Sequence, residues 1–154
     1  MTHNDVLRSV RYLLNISETK LIEIIRLADY EVSHAEIASF LKKEDEEGYQ
    51  DCGHEVIAHF LHGLIIYKRG ARNRDKDETR PYQPVEVPVT NNVVLKKLRV
   101  AFELKDTDIV DIIAKSGLKV SKTELGAFFR KPGHRNYREC GDQFLRYLLK
   151  GLTP

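Results

Sequence analysis

With 154 residues, 42% of them hydrophobic and 31% charged, the chain has the make-up of a globular protein able to bury a sizeable core. A formal net charge of +2 gives no overall pull toward nucleic acid or an anionic membrane. Two cysteines exclude a disulfide scaffold, no apolar run approaches the ~20 residues of a membrane span, and residues 1–17 lack a signal-peptide core, so a cytoplasmic protein is expected.

In chain order, the first expected helix opens at Asn4, a favoured N-cap residue, and carries Val6, Leu7, Val10, Leu13 and Leu14. A second carries Leu21, Ile22, Ile24, Ile25 and Ala28. Its β-branched run is short enough for a buried strand, but the charges between the apolar pairs favour a helix. The third begins at Val32-Ser33-His34-Ala35-Glu36-Ile37, where Ser33 at N-cap and Glu36 at N3 have capping-box spacing. Val32 and Ile37 are placed to join as a hydrophobic staple. The fourth carries Val56, Ile57, Phe60, Leu61 and Leu64. Spacing of i, i+3 and i+4 gives each helix one apolar stripe.

After residue 91 the same text is written again, at an offset of 88 positions and without a gap from residues 4–64 onto 92–152. Leu7/Leu95, Arg11/Arg99, Ile25/Ile113, Tyr49/Tyr137, Cys52/Cys140, Gly53/Gly141 and Gly63/Gly151 are among the identities. Asn92 echoes Asn4 as helix opener, Ser121 and Glu124 repeat the capping pair, and Pro132-Gly133 stands where the second copy's third helix must have stopped. The expected fold is therefore all-α, two pseudo-equivalent four-helix units in tandem. The units are read as residues 1–67 and 92–154, joined by a connector at 68–91. The connector's polar start and its Pro81, Pro84 and Pro88 favour an extended path.

The two copies differ in charge. Residues 4–65 hold six Lys/Arg against twelve Asp/Glu, whereas residues 92–154 hold thirteen against seven. A near-neutral total thus hides an acidic half and a basic half. The contrast peaks after the third helix of each copy: Glu44, Asp45, Glu46 and Glu47 in the first, and Arg130, Lys131, His134, Arg135, Tyr137 and Arg138 in the second.

The string Asn91-Asn92 followed by Val94-Leu95-Lys96-Lys97-Leu98-Arg99 resembles the YehS-like family of bacterial proteins. So do Tyr137-Arg138-Glu139-Cys140-Gly141-Asp142-Gln143-Phe144-Leu145-Arg146-Tyr147 and Leu41-Lys42-Lys43-Glu44-Asp45-Glu46-Glu47-Gly48-Tyr49. The resemblance spans the whole chain, tandem arrangement included. It implies a tandem domain of unknown function, and so it carries over neither a catalytic residue nor a substrate.

Several constellations bear on chemistry. The second and third helices of the basic copy have the order of a helix-turn-helix, with Lys122, Thr123 and Gly126 at the start of the reading helix, though the link between them exceeds the usual 3–4-residue turn. Glu55, His59 and His62 fall at i, i+4 and i+7 of one helix, the one spacing with metal-ligand character. Cys52 and Cys140 each precede a glycine near a helix start, where a thiol gains acidity, yet their recurrence suits a small buried residue. Arg11 and Arg99 lie near an apolar stripe and need partners, with Asp29, the capping-box glutamates or Glu124 within reach in sequence. No nucleophile elbow, phosphate-cradling glycine loop or paired-cysteine zinc motif is present.

The sequence therefore reads as a non-enzymatic binding or regulatory protein, with no cofactor expected. Its leading partner is nucleic acid, met through Lys122, Arg130, Lys131, His134, Arg135, Tyr137 and Arg138, with Lys68, Arg69 and Arg72 from the connector. The alternative is a protein–protein or oligomerisation module that pairs acidic with basic loops, including an acidic protein as partner. A metal-dependent or thiol enzyme stands third, and no membrane partner is expected.

Overall fold

The computed structural model describes residues 1–70 and 85–154, and among them are eight helices and no strand. In chain order these are α1 (His3–Leu14), α2 (Glu18–Arg26), α3 (His34–Leu41) and α4 (His54–Arg69). The second copy supplies α5 (Asn91–Ala101), α6 (Asp106–Lys115), α7 (Lys122–Phe128) and α8 (Asp142–Leu152). Pro81, Pro84 and Arg72 lie outside the described residues. α4 runs on through Lys68 and Arg69, two residues assigned above to the connector, and ends at Gly70.

Each helix forms for local reasons. Ser33 caps α3 with the expected reciprocal box: its hydroxyl accepts from Glu36 N (3.1 Å), and Glu36 Oε1 accepts from Ser33 N (3.0 Å). Ser121 repeats the hydroxyl half on α7 (3.0 Å). The apolar stripes meet in one continuous core to which both copies contribute, from Leu7, Ile25, Ile37 and Phe60 to Leu95, Ile109, Leu125 and Leu148. α2 and α4 cross at Gly63, where a Cβ would lie 1.9 Å from the Ile24 carbonyl oxygen. Only glycine lets the two backbones approach that closely.

One expectation is overturned. Asn4 and Asn92 do not cap their helices. Thr2 and Thr90 do, accepting from Asp5 N (3.0 Å) and Val93 N (3.3 Å). Asparagine is a favoured cap when its side chain faces the open turn, but here both side chains point inward, 2% and 8% exposed. Asn4 Nδ2 donates to Phe40 O (3.0 Å) and Gln50 O (2.8 Å), and its Oδ1 accepts from Cys52 N (2.9 Å). Asn92 makes the same three bonds to Phe128 O (3.0 Å), Arg138 O (2.8 Å) and Cys140 N (2.9 Å). One amide thus closes the loop between the third and fourth helices of each copy.

The arginine partners also differ from expectation. Arg11 Nε donates to Ile16 O (3.2 Å) and meets none of the carboxylates proposed for it. Arg99 instead stands 3.0 Å from Asp106 and over the Phe129 ring at 4.6 Å.

The copies pack with pseudo-two-fold symmetry: α4 lies on α5, and α8 lies on α1. The equivalence extends to single atoms. Val89 N donates to His54 Nδ1 at the start of α4 (2.8 Å), and 88 residues earlier the Met1 ammonium meets Asp142 at the start of α8 (2.6 Å). A backbone amide is met by an imidazole nitrogen and the chain's ammonium by a carboxylate. His3 completes the first junction, its ring nitrogens facing Cys52 O (3.2 Å) and Val89 O (2.9 Å). Asn91 does the same for the second, donating to Cys140 O (3.0 Å) and Asp142 (2.7 Å).

Candidate nucleic-acid interface

The basic loop is built out from Asn92. α7 is only seven residues long and ends at Phe128, whose carbonyl the Asn92 amide takes, and the same amide takes the Arg138 carbonyl at the loop's far end. Between these anchors the chain makes two tight turns, His134 N to Lys131 O (3.0 Å) and Tyr137 N to His134 O (2.9 Å). His134 Nδ1 accepts from Asn136 N (3.0 Å), and Arg138 N returns to Ala127 O (3.1 Å). The loop therefore has a fixed path although it stands in solvent.

Arg130, Lys131, His134, Arg135 and Arg138 are all exposed on it, and Tyr137 is half-buried. Burial raises the Tyr137 phenol above its ordinary 10.0, with the Glu139 charge adding to the effect. Among the described residues no carboxylate lies within 4 Å of Arg130, Lys131, Arg135 or Arg138. Beside the loop runs a groove of about 620 Å³ whose lining includes Phe129, Arg130, Lys131 and Tyr137 together with Glu86 and Glu139. Glu86 pairs with Lys96 (2.8 Å) and Lys97 (3.7 Å). Burial would raise the Glu86 carboxyl, but the two lysines outweigh it and hold it below its ordinary value.

The other residues named from the sequence are distributed as follows. Lys122 is exposed at the first position of α7, about 10 Å along that helix from the loop. Lys68 and Arg69 lie elsewhere, in the last turn of α4 on the α4–α5 seam. Lys68 Nζ sits 5.1 Å over the Phe102 ring, while Arg69 donates to Val100 O (3.3 Å) and meets Glu103 (3.5 Å). The seam contacts are at the C-terminal end of α5 and the basic loop hangs from its N-terminal end, about 16 Å apart by helical rise.

Of the trio Glu55, His59 and His62, His59 donates from Nδ1 to Glu55 O (2.6 Å) and stacks on Tyr30 at 4.2 Å. Among the described residues no three His, Cys, Asp or Glu side chains are grouped as a metal site requires. Both cysteines are buried, and burial pushes each thiol up to about 12. The acidic loop of the first copy is exposed, with Glu46 Oε1 accepting from Lys43 N (3.1 Å), and among the described residues no ion pair joins it to the basic loop. No helix among the described residues is long and apolar enough to cross a membrane.

Asn92 is the positioning residue that sequence reasoning misplaced. A signal was present: asparagine, Cys-Gly and tyrosine recur together at one offset, which fits a shared buried polar contact better than a solvent-facing cap.

Comparison with known proteins gives consistent results. The family described as "Protein of unknown function (DUF1456)" matches twice, at residues 3–70 and 91–154. The chain is 49% identical over 153 residues to the "Uncharacterized protein YehS" of Escherichia coli (strain K12), covering 99% of this chain and 95% of that protein. No solved structure matches significantly.

Proposed function

From a chain that belongs to the DUF1456 family, a family of unknown function, we propose a nucleic-acid-binding protein that acts through the exposed basic loop of its second copy. The observation that carries this is the state of the loop's cations: the loop is tied at both ends by Asn92, and no described carboxylate lies within 4 Å of Arg130, Lys131, Arg135 or Arg138. Cations kept in water cost the fold little, and they become valuable when they displace condensed counterions from a phosphate backbone. The aromatic groove beside them gives a bound strand an apolar wall.

Fluorescence anisotropy with labelled mixed-sequence DNA and RNA across a salt series tests the reading. Dissociation constants of about 1–100 µM or tighter, weakening steeply with salt, are expected. Arg135→Glu with Arg138→Glu should weaken binding and flatten the salt slope. Absence of binding at low salt ends the proposal.

A second reading has its own support. The acidic loop is also exposed, and among the described residues its carboxylates make no ion pair, so the two loops have complementary charge for contact between molecules. Light scattering on a Glu44/Glu46/Glu47 charge-reversal variant separates the readings, since loss of an oligomer favours this one.

A further inference from the structure

The two pseudo-equivalent seams are not alike. Along α4–α5 the helix α4 is 16 residues long, and Lys68 and Arg69 in its last turn fold over the end of α5. Along α1–α8 the helix α8 is 11 residues long, and Thr153 turns out of it with its hydroxyl donating to Leu149 O (2.9 Å). That seam keeps an open cleft of about 590 Å³, a size suited to a small ligand or a few units of a polymer. Its walls include Arg8 and Tyr12, one turn apart on α1, and Arg146 and Lys150, one turn apart on α8, with Met1 and Pro154 also in the lining.

Tyr12 is 76% exposed, more than any other large hydrophobic side chain among the described residues. Its counterpart on the other seam is Val100, and those of Arg146 and Lys150 are Ala58 and His62, so the repeat itself demands neither the ring nor the two charges. Arg8 is partly engaged, by Asp5 and by Lys42 O (2.7 Å), whereas Arg146 and Lys150 are exposed and meet no described carboxylate within 4 Å, Arg146 interacting at longer range with Asp142 one turn earlier. An accessible ring with exposed cations lining the same cleft matches the chemistry of an unpaired base between two phosphates.

We propose that this cleft binds single-stranded nucleic acid, with a base stacked on Tyr12 and the adjoining phosphates held by Arg146 and Lys150. The proposal rests on the reading of the protein as a nucleic-acid binder and adds both a second contact and a preference. A duplex buries the faces of its bases, so only an unpaired strand can use the ring. The site was invisible to a charge count by copy, because half of it comes from the acidic copy.

Anisotropy of a labelled oligothymidylate and of an equal-length duplex on the full chain at low salt is the test. Tyr12→Ala, Arg146→Gln with Lys150→Gln, and the loop variant Arg135→Glu with Arg138→Glu are compared, with far-UV circular dichroism as the folding control. Tyr12→Ala should weaken single-strand binding about tenfold and leave duplex binding unchanged, and Tyr12→Phe should restore it. The Arg146/Lys150 variant should flatten the salt slope. If Tyr12→Ala binds normally while the loop variant fails, the cleft proposal is wrong and the loop reading stands. If Tyr12→Ala fails while the loop variant binds normally, the cleft stands and the loop does not. Equal losses for strand and duplex on Tyr12→Ala overturn stacking, and no binding by the wild type overturns both.

Discussion

Replacing Asn4 or Asn92 with alanine should unfasten one copy without touching its apolar core. Each amide satisfies three backbone groups, at 3.0, 2.8 and 2.9 Å for Asn4 and at the same distances for Asn92. Truncation leaves the Cys52 N–H and Phe40 C=O, or the Cys140 N–H and Phe128 C=O, without that partner. Cys52 is 5% and Cys140 4% exposed, which keeps water from replacing it easily. A buried group deprived of its hydrogen bond costs about 1–3 kcal/mol, so two such groups give about 2–6 kcal/mol per asparagine. Urea unfolding followed by far-UV circular dichroism reads this as a lower midpoint with unchanged slope. Asn92→Ala should also weaken nucleic-acid binding although no cation is removed, because the basic loop loses both anchors. A cost below about 0.5 kcal/mol for either variant would refute the view that these amides hold the loops.

Other outcomes follow from the same geometry. Gly63→Ala should destabilise by at least about 1–3 kcal/mol, since the new Cβ would lie 1.9 Å from the Ile24 carbonyl oxygen. Gly151→Ala should cost less when both variants are compared by urea unfolding, because there the obstacle is an Ile112 methyl at 2.3 Å that can rotate away. With both thiols pushed up to about 12, Cys52 and Cys140 should resist a thiol-exchange reagent at pH 8 and react fully in denaturant. Acid should destabilise the fold. Asp142 is lowered from 3.8 by the Met1 ammonium and Asn91; Asp5, despite partial burial, is lowered by Thr2 and Arg8; Glu86 is lowered from 4.5 by its lysines. Below these ordinary values the unfolded chain takes up protons first, so stability is complete above about pH 5 and falls as pH drops through about 4. A melting temperature unchanged between pH 6 and pH 3 would contradict this.

The helices and their doubling were legible because they are written in local code. A 3.6-residue apolar period and a Ser-x-x-Glu cap at Ser33 need no knowledge of the rest of the fold. Asn4 was misread because a cap and a buried tie use the same residue type, and only the third dimension shows which way the amide points. Thr2, two residues earlier, was the better cap, and Asp5 three residues after it completes the box. The basic loop was legible as composition, but its tethering was not, since the anchor lies 36 and 46 residues away in sequence. The cleft was least legible of all. Arg8 and Tyr12 stand far from Arg146 and Lys150 along the chain, and no periodicity says which helix lies on which.

A protein made by pairing two identical short chains is obliged to be the same on both sides of its axis. Whatever improves one junction is copied to the other, and an opening useful on one side becomes a weakness on both. Fusion of the halves into one polypeptide lifts that obligation. Here the two sides do differ: one has Arg69 clasped on Glu103, and the other keeps an open cleft that its twin need not copy.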